Sequence, residues 1–165
     1  MTMQMQDLRG LYIHKLQDIY DAEQQGLQAM QQMSRMVQSP QLRQGLEMHL
    51  QQSQGQVQRL EQIFQGMGEQ PGGVTCEGMK GLIAEGQKIM GEDMAPEVRD
   101  AALIAAQQAA EHYEIAGYGT ARTYARLLGE DQAAQLLGQT LEEEKQADDK
   151  LTQMAQQINV QAMDA

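Results

Sequence analysis

A chain of 165 residues is long enough to bury a sizeable core as one domain without disulfide staples. Its 12 Lys plus Arg against 23 Asp plus Glu leave a formal charge of −11, which repels nucleic acid and anionic lipid, so no nucleic acid and no membrane partner is expected. The single cysteine excludes a disulfide framework and any CxxC zinc or redox motif, and with no long apolar run and no leader pattern at the start the expected location is cytoplasmic.

With five Tyr, one Phe and no Trp, the core must come from Leu, Ile, Ala and the 13 Met. Glutamine is the oddity, at 30 residues. It falls between apolar residues at helical spacing, as among Leu42, Leu46, Leu50, Val57, Leu60 and Phe64, and so reads as neutral, solvent-facing helix surface rather than low complexity.

The first predicted helix covers about residues 5–37, with Leu8, Tyr12, Leu16, Ile19, Leu27, Met30, Met33 and Val37 on one stripe and Glu23 inside it. Ser39 then caps and Pro40 opens a second helix over about 40–65, stopped by Gly66 and Gly68. The stretch Gln70-Pro-Gly-Gly73 is turn. A short helix follows over about 76–90, a third long one from Pro96 to about 128, and a fourth over about 131–157, after Gly129; the tail from Ile158 is expected to be loose. No strand alternation occurs, so the predicted class is all-α. Two tight hairpins joined by a link of some 30 residues give the topology of a ferritin-like four-helix bundle, with one long crossover containing a short fifth helix.

Acids lie on stripes that should be dry, where an ionised carboxylate needs a partner or a metal. They are Glu23 in the first helix, Glu111 and Glu114 on one face of the third with Gln107 and Tyr118, and Glu144 and Asp148 on the fourth. The second helix offers His49, with Gln52 and Gln56 following on its inner face. One acid per long helix near mid-length, with acid–acid or acid–His pairs a turn apart, is how a bundle builds a di-metal site. Acidic helices also place Glu on every face; in the run Glu142, Glu143, Glu144 at most one or two point inward. No nucleophile–base pair, Walker or GxGxxG pattern is present, His14 and His112 read as surface or interface residues, and Cys76 as a small apolar contact at a helix start, where the dipole lowers a thiol pKa.

On these residues the sequence resembles the YciE/YciF family of bacterial stress-associated, ferritin-like proteins, and stands on the YciF side of it. The most specific stretches are Val98-Arg-Asp-Ala-Ala-Leu-Ile-Ala-Ala106, Glu111-His-Tyr-Glu-Ile-Ala116 with Tyr118-Gly-Thr120, and Leu141-Glu-Glu-Glu-Lys145 with Asp148; Cys76 to Ile83 is similar to the family's crossover helix. The resemblance implies a rubrerythrin-like bundle, a homodimer rather than a hollow cage, and a working or vestigial di-iron carboxylate centre at Glu23, Glu111, Glu114, Glu144 and Asp148. Where the family reads His-Leu-Glu-Glu-Thr, this chain has His49-Leu-Gln-Gln-Ser53, so Gln51 and Gln52 replace acids and His49 is the candidate nitrogen donor. Iron is the implied metal, as a pair or a single ion, with manganese as alternative. Three functions remain open on this reading. They are an iron- and peroxide-handling oxidase, a metal binder without turnover, and a structural or interaction homodimer whose degenerate, metal-free site is held by Tyr12, Tyr20 and Tyr118.

Overall fold

A computed structural model describes residues 5–165. Five helices, and no strand among the described residues, make up the fold: α1 (Leu8–Met33), α2 (Pro40–Met67), α3 (Glu77–Met90), α4 (Pro96–Leu127) and α5 (Asp131–Met163). The four long helices pack as two hairpins, α1 with α2 and α4 with α5, and close against each other through α1 on α4 and α2 on α5. The crossover helix α3 lies outside, against α4 and α1.

Local chemistry sets the ends. Asp7 caps α1 through Gly10 N at 2.8 Å, and Ser39 caps α2 with Pro40 at its first position. α1 is shorter than its periodicity predicts. Its helix stops at Met33, yet Val37 stays buried because the turn folds back over the core. That turn is fastened from across the fold, where the buried Asp100 carboxylate accepts from Gln38 N at 3.0 Å and Ser39 N at 2.7 Å. Gly66 does not stop α2, which runs to Met67 and ends where Gly68 turns left-handed (φ 70°).

α5 departs most from expectation. It continues as helix to Met163, and Ile158 is buried, so the tail is not loose there. Met154 and Ile158 extend the stripe one turn further onto Met30, Leu42, Leu103 and their neighbours, and this apolar contact holds the last turns.

The core is divided along its length. One apolar cluster gathers Tyr12, Leu16, Ile19, Leu60, Phe64, Tyr118 and Leu137; the other gathers Met30, Leu42, Leu46, Ile104, Leu151 and Met154. Between them, every long helix presents polar residues inward: Glu23, His49 to Gln56, Gln107 to Glu114, and Glu144. The fold is two apolar plugs with a buried polar layer between. Because Ile158 belongs to the second plug, Ile158→Ala is expected to lower the unfolding free energy by about 2–4 kcal/mol, read by urea denaturation; an unchanged midpoint would mean that the last turns of α5 do not pack.

Candidate metal centre

The polar layer is built from single side chains on separate helices. Glu111 and Glu114, three residues apart on α4, share its inner face; Glu23 comes from α1, His49 from α2 and Glu144 from α5, and all five are buried. Their donor atoms form two overlapping triads, His49–Glu111–Glu144 and Glu23–Glu114–Glu144, each with all donors within 4.8 Å of one another. Glu144 belongs to both. Of the run of three acids on α5, Glu144 is wholly inside, Glu143 is half-buried and Glu142 exposed.

Neighbouring groups orient the donors. Tyr118 donates its hydroxyl hydrogen bond to Glu23 Oε1 at 2.5 Å, Gln107 Nε2 donates to Glu111 Oε1 at 2.7 Å, and His49 Nε2 lies 2.9 Å from the same Glu111 oxygen and 3.9 Å from Glu144 Oε2. Outside this ring Arg59 clamps Glu143 through two bonds of 2.8 and 2.6 Å, and Gln56 Nε2 donates to Glu143 at 3.1 Å. This outer pair ties α2 to α5 beside the donors, and nothing in the helical spacing alone announced it.

Two residues named with the acids stand apart. Asp148 is not in either triad. It accepts from Gln108 Nε2 at 3.3 Å and lies 3.7 Å from the exposed His112. After Glu144 the inward positions of α5 are Ala147 and Leu151, and a four-residue step turns Asp148 to the flank facing α4. Gln52 is partly buried and lines a small cavity beside His49 and Glu111. Of the three tyrosines expected to hold the acids, only Tyr118 reaches one of them: Tyr20 bonds the exposed Glu61, and the buried Tyr12 hydroxyl has no partner. Cys76 is fully buried, with Sγ 3.1 Å from the Tyr113 hydroxyl, and burial raises its pKa where the helix start alone suggests lowering.

The electrostatics follow from burial. Desolvation pushes the Glu23 carboxyl up to about 7, against the opposing pull of the Tyr118 hydrogen bond. Glu114 and Glu144 are driven well above the usual carboxylate range by burial and then by the charges of neighbouring carboxylates. Burial pushes Glu111 the same way, but the neighbouring Glu144 carboxyl and His49 outweigh it and hold Glu111 low. For His49 burial favours the neutral form, yet the hydrogen bond and charge of Glu111 win and raise it. Four carboxylates therefore share protons and one imidazolium, and several oxygens go unsatisfied: Glu111 Oε2 and both Glu144 oxygens, like His49 Nδ1, are buried without a hydrogen-bond partner of ordinary geometry. Oxygen donors with one imidazole, several of them unpartnered and converging from four helices, are of a chemistry that fits divalent cations.

A family model described as a domain of unknown function, DUF892, matches residues 7–164. The chain is 42% identical over 154 residues to Protein YciF of Escherichia coli strain K12, covering 93% of each chain. Among solved structures it is similar to the E. coli stress protein YciF (41% identity, 93% of this chain and 98% of that one, TM-score 0.90). It is equally similar to YcfI, a putative structural protein from Rhodopseudomonas palustris (42% identity, 92% and 97% covered, TM-score 0.89). The chain belongs to the DUF892 family and is a relative of YciF.

The proton balance predicts a pH dependence. With Glu23 raised to about 7 the folded state binds more protons than the unfolded one above the ordinary carboxylate range, so its stability contribution is lost as pH rises. The raised His49 acts in the same direction, whereas the lowered Glu111 opposes it only at acid pH. EDTA-treated protein is therefore expected to melt at a lower temperature near pH ~8 than near pH ~6, by calorimetry; a rising melting temperature over that interval would contradict this account.

Proposed function

We propose that this protein is a ferritin-like, cytoplasmic member of a bacterial stress response that holds two divalent cations, iron or manganese, in its buried polar layer. The observation that carries this reading is the pair of buried donor triads sharing Glu144. Iron bound there would supply one-electron chemistry toward dioxygen or peroxide. The chain's own residues do the holding. Glu144, common to both triads, would serve both cations; Glu23 and Glu114 would complete one donor set, and Glu111 and His49 the other. Tyr118 fixes the orientation of Glu23, and Gln107 that of Glu111. The two apolar plugs keep bulk water from both ends of the layer.

Each donor carboxyl that burial keeps protonated would lose its proton to a cation, and metal binding then adds to folding stability by mass action. Anaerobic titration with Fe(II) or Mn(II) is expected to reach two ions per chain and to raise the melting temperature. Glu114→Gln is expected to abolish the second ion, and Gln52→Glu, which adds an acid beside His49, to tighten binding by about tenfold. A chain that takes up neither metal would overturn the reading. The alternative is then a structural homodimer with a degenerate site, favoured by the neutral amide at Gln52 and by the description of the R. palustris relative as a putative structural protein.

A second copy of this chain is the expected partner on the α3 side. Met79 and Met90 turn inward and are buried, while Ile89 remains 46% exposed beside partly buried Leu82 and Ile83. These three are the large apolar residues of α3 left for an interface. Sedimentation at micromolar concentration should give the dimer mass, and Ile89→Glu should give monomer; a wild-type monomer would exclude the dimer.

A further inference from the structure

A small cavity of about 40 Å³ opens between α2 and α5 against the donors, lined in part by Leu46, His49, Gln52, Glu111, Ala147 and Met154. The two helices run antiparallel here. Gly45 faces Met154 at one level, Gln56 bonds Glu143 at another, and this register sets Gln52 opposite Ala147 between them. Ala147 is too small to close the seam, so the space reaches His49 and Glu111. Met154 closes it on the other side: a Cβ on Gly45 would come within 3.1 Å of its terminal methyl. The four larger cavities, of 110, 190, 210 and 910 Å³, touch none of the five donors.

The walls select by charge and size. Leu46, Ala147, Leu151 and Met154 are apolar, Gln52 is neutral, and the exposed Lys150 stands at the rim with exposed Met48. A cation would shed water against apolar walls and pass a positive charge, which is costly. A neutral molecule faces neither penalty, a singly negative one sheds water but is drawn rather than repelled by Lys150 at the rim, and a volume of one to two waters excludes anything beyond two or three heavy atoms. Methionine, unbranched and with three rotatable bonds, yields to such a molecule without moving a helix. The floor carries Glu111 and His49, whose Oε2 and Nδ1 are unpartnered.

We propose that this α2–α5 cavity is the mouth through which a small neutral or singly anionic molecule of two or three heavy atoms reaches the donor cluster, with Met154 as its closing side chain. The inference rests on the metal-binding reading, and its test separates the two. The protein is loaded with Co(II) and titrated with sodium azide while the visible spectrum is recorded. Wild type should show an azide-dependent shift. Ala147→Leu, which fills the mouth, should weaken azide binding by about tenfold with unchanged Co(II) stoichiometry. Lys150→Glu, an exposed change that leaves the core intact, should weaken it severalfold, more so at low ionic strength. Azide binding unaltered in both variants overturns the mouth while leaving the metal site standing. Failure of Co(II) to bind sinks the metal reading instead, and the cavity is then tested without metal by xenon pressurisation of crystals. Xenon between Ala147 and Met154 in wild type, absent in Ala147→Leu, supports the cavity, and no xenon there overturns it.

Discussion

Four carboxyl groups sealed between two apolar plugs set the terms for the rest of this structure. An ionised carboxylate in such a place is unfavourable by several kcal/mol, roughly the whole net stability of an ordinary domain. The fold meets this in three ways. Burial keeps several of the acids protonated, His49 gives Glu111 a positive neighbour, and Tyr118 and Gln107 supply donors to Glu23 and Glu111. The plugs on either side supply the apolar burial that offsets the rest, each drawing residues from all four long helices. A helix could not slide by a turn without carrying its acid, or for α2 its His49, into one of the plugs, so the polar layer also fixes the register.

The crossover helix contributes at the same level. Asp21, two residues before Glu23, accepts from Cys76 N at 2.7 Å at the start of α3. Tyr113, one residue before Glu114, meets Cys76 Sγ with its hydroxyl, and its ring lies so close to Gly78 that a Cβ there would sit 2.5 Å away. Glycine at position 78 is required by that approach rather than by any turn. α3 therefore clamps α1 and α4 from outside, next to the residues whose neighbours face the polar layer. Its burial of Met79 and Cys76 explains why fewer apolar residues remain exposed on α3 than its composition suggests.

Helical periodicity made the five helices legible, because each long stripe recurs over many turns. It failed at the ends, where no stripe arbitrates. Val37 keeps the apolar phase after the backbone has left α1, and Gly66 is simply tolerated inside α2. Ile158 looked like tail because only its long-range packing, in the apolar cluster of Met30, Leu42 and Leu103, reveals its role. The inward acids were legible for the same reason as the stripes, since Glu23, Glu111, Glu114 and Glu144 occupy positions where Leu would otherwise stand. Asp148 lies outside both triads although it shares the one-turn spacing, because a spacing of four suits either side of a helix face, and only packing against Gln108 and His112 decides which. The Arg59–Glu143 clamp and the Cys76–Tyr113 contact join residues more than 30 positions apart in the chain, and no local pattern carries such pairs.

The donor set is unbalanced in a way that bears on which ions would suit it. α4 contributes two acids where a di-metal bundle commonly pairs an acid with a histidine three residues on, and the only imidazole comes from α2, beside the neutral Gln52. Oxygen dominates, which favours hard cations over those that seek nitrogen or sulfur. Charge points the same way. Four ionised carboxylates would neutralise two divalent ions when His49 is neutral, whereas a single divalent ion would leave two negative charges with only His49 to offer a positive one. Those charges would have to be met by protons, on Glu23, Glu114 or Glu144, the groups that burial already drives toward protonation. Loading would thus be a proton exchange, with each ion displacing protons from carboxyls that hold them only because the layer is dry. On the two-cation reading, a second ion would complete the neutrality that a first leaves unfinished, and the same burial that makes the acids unfavourable alone is what such ions would relieve.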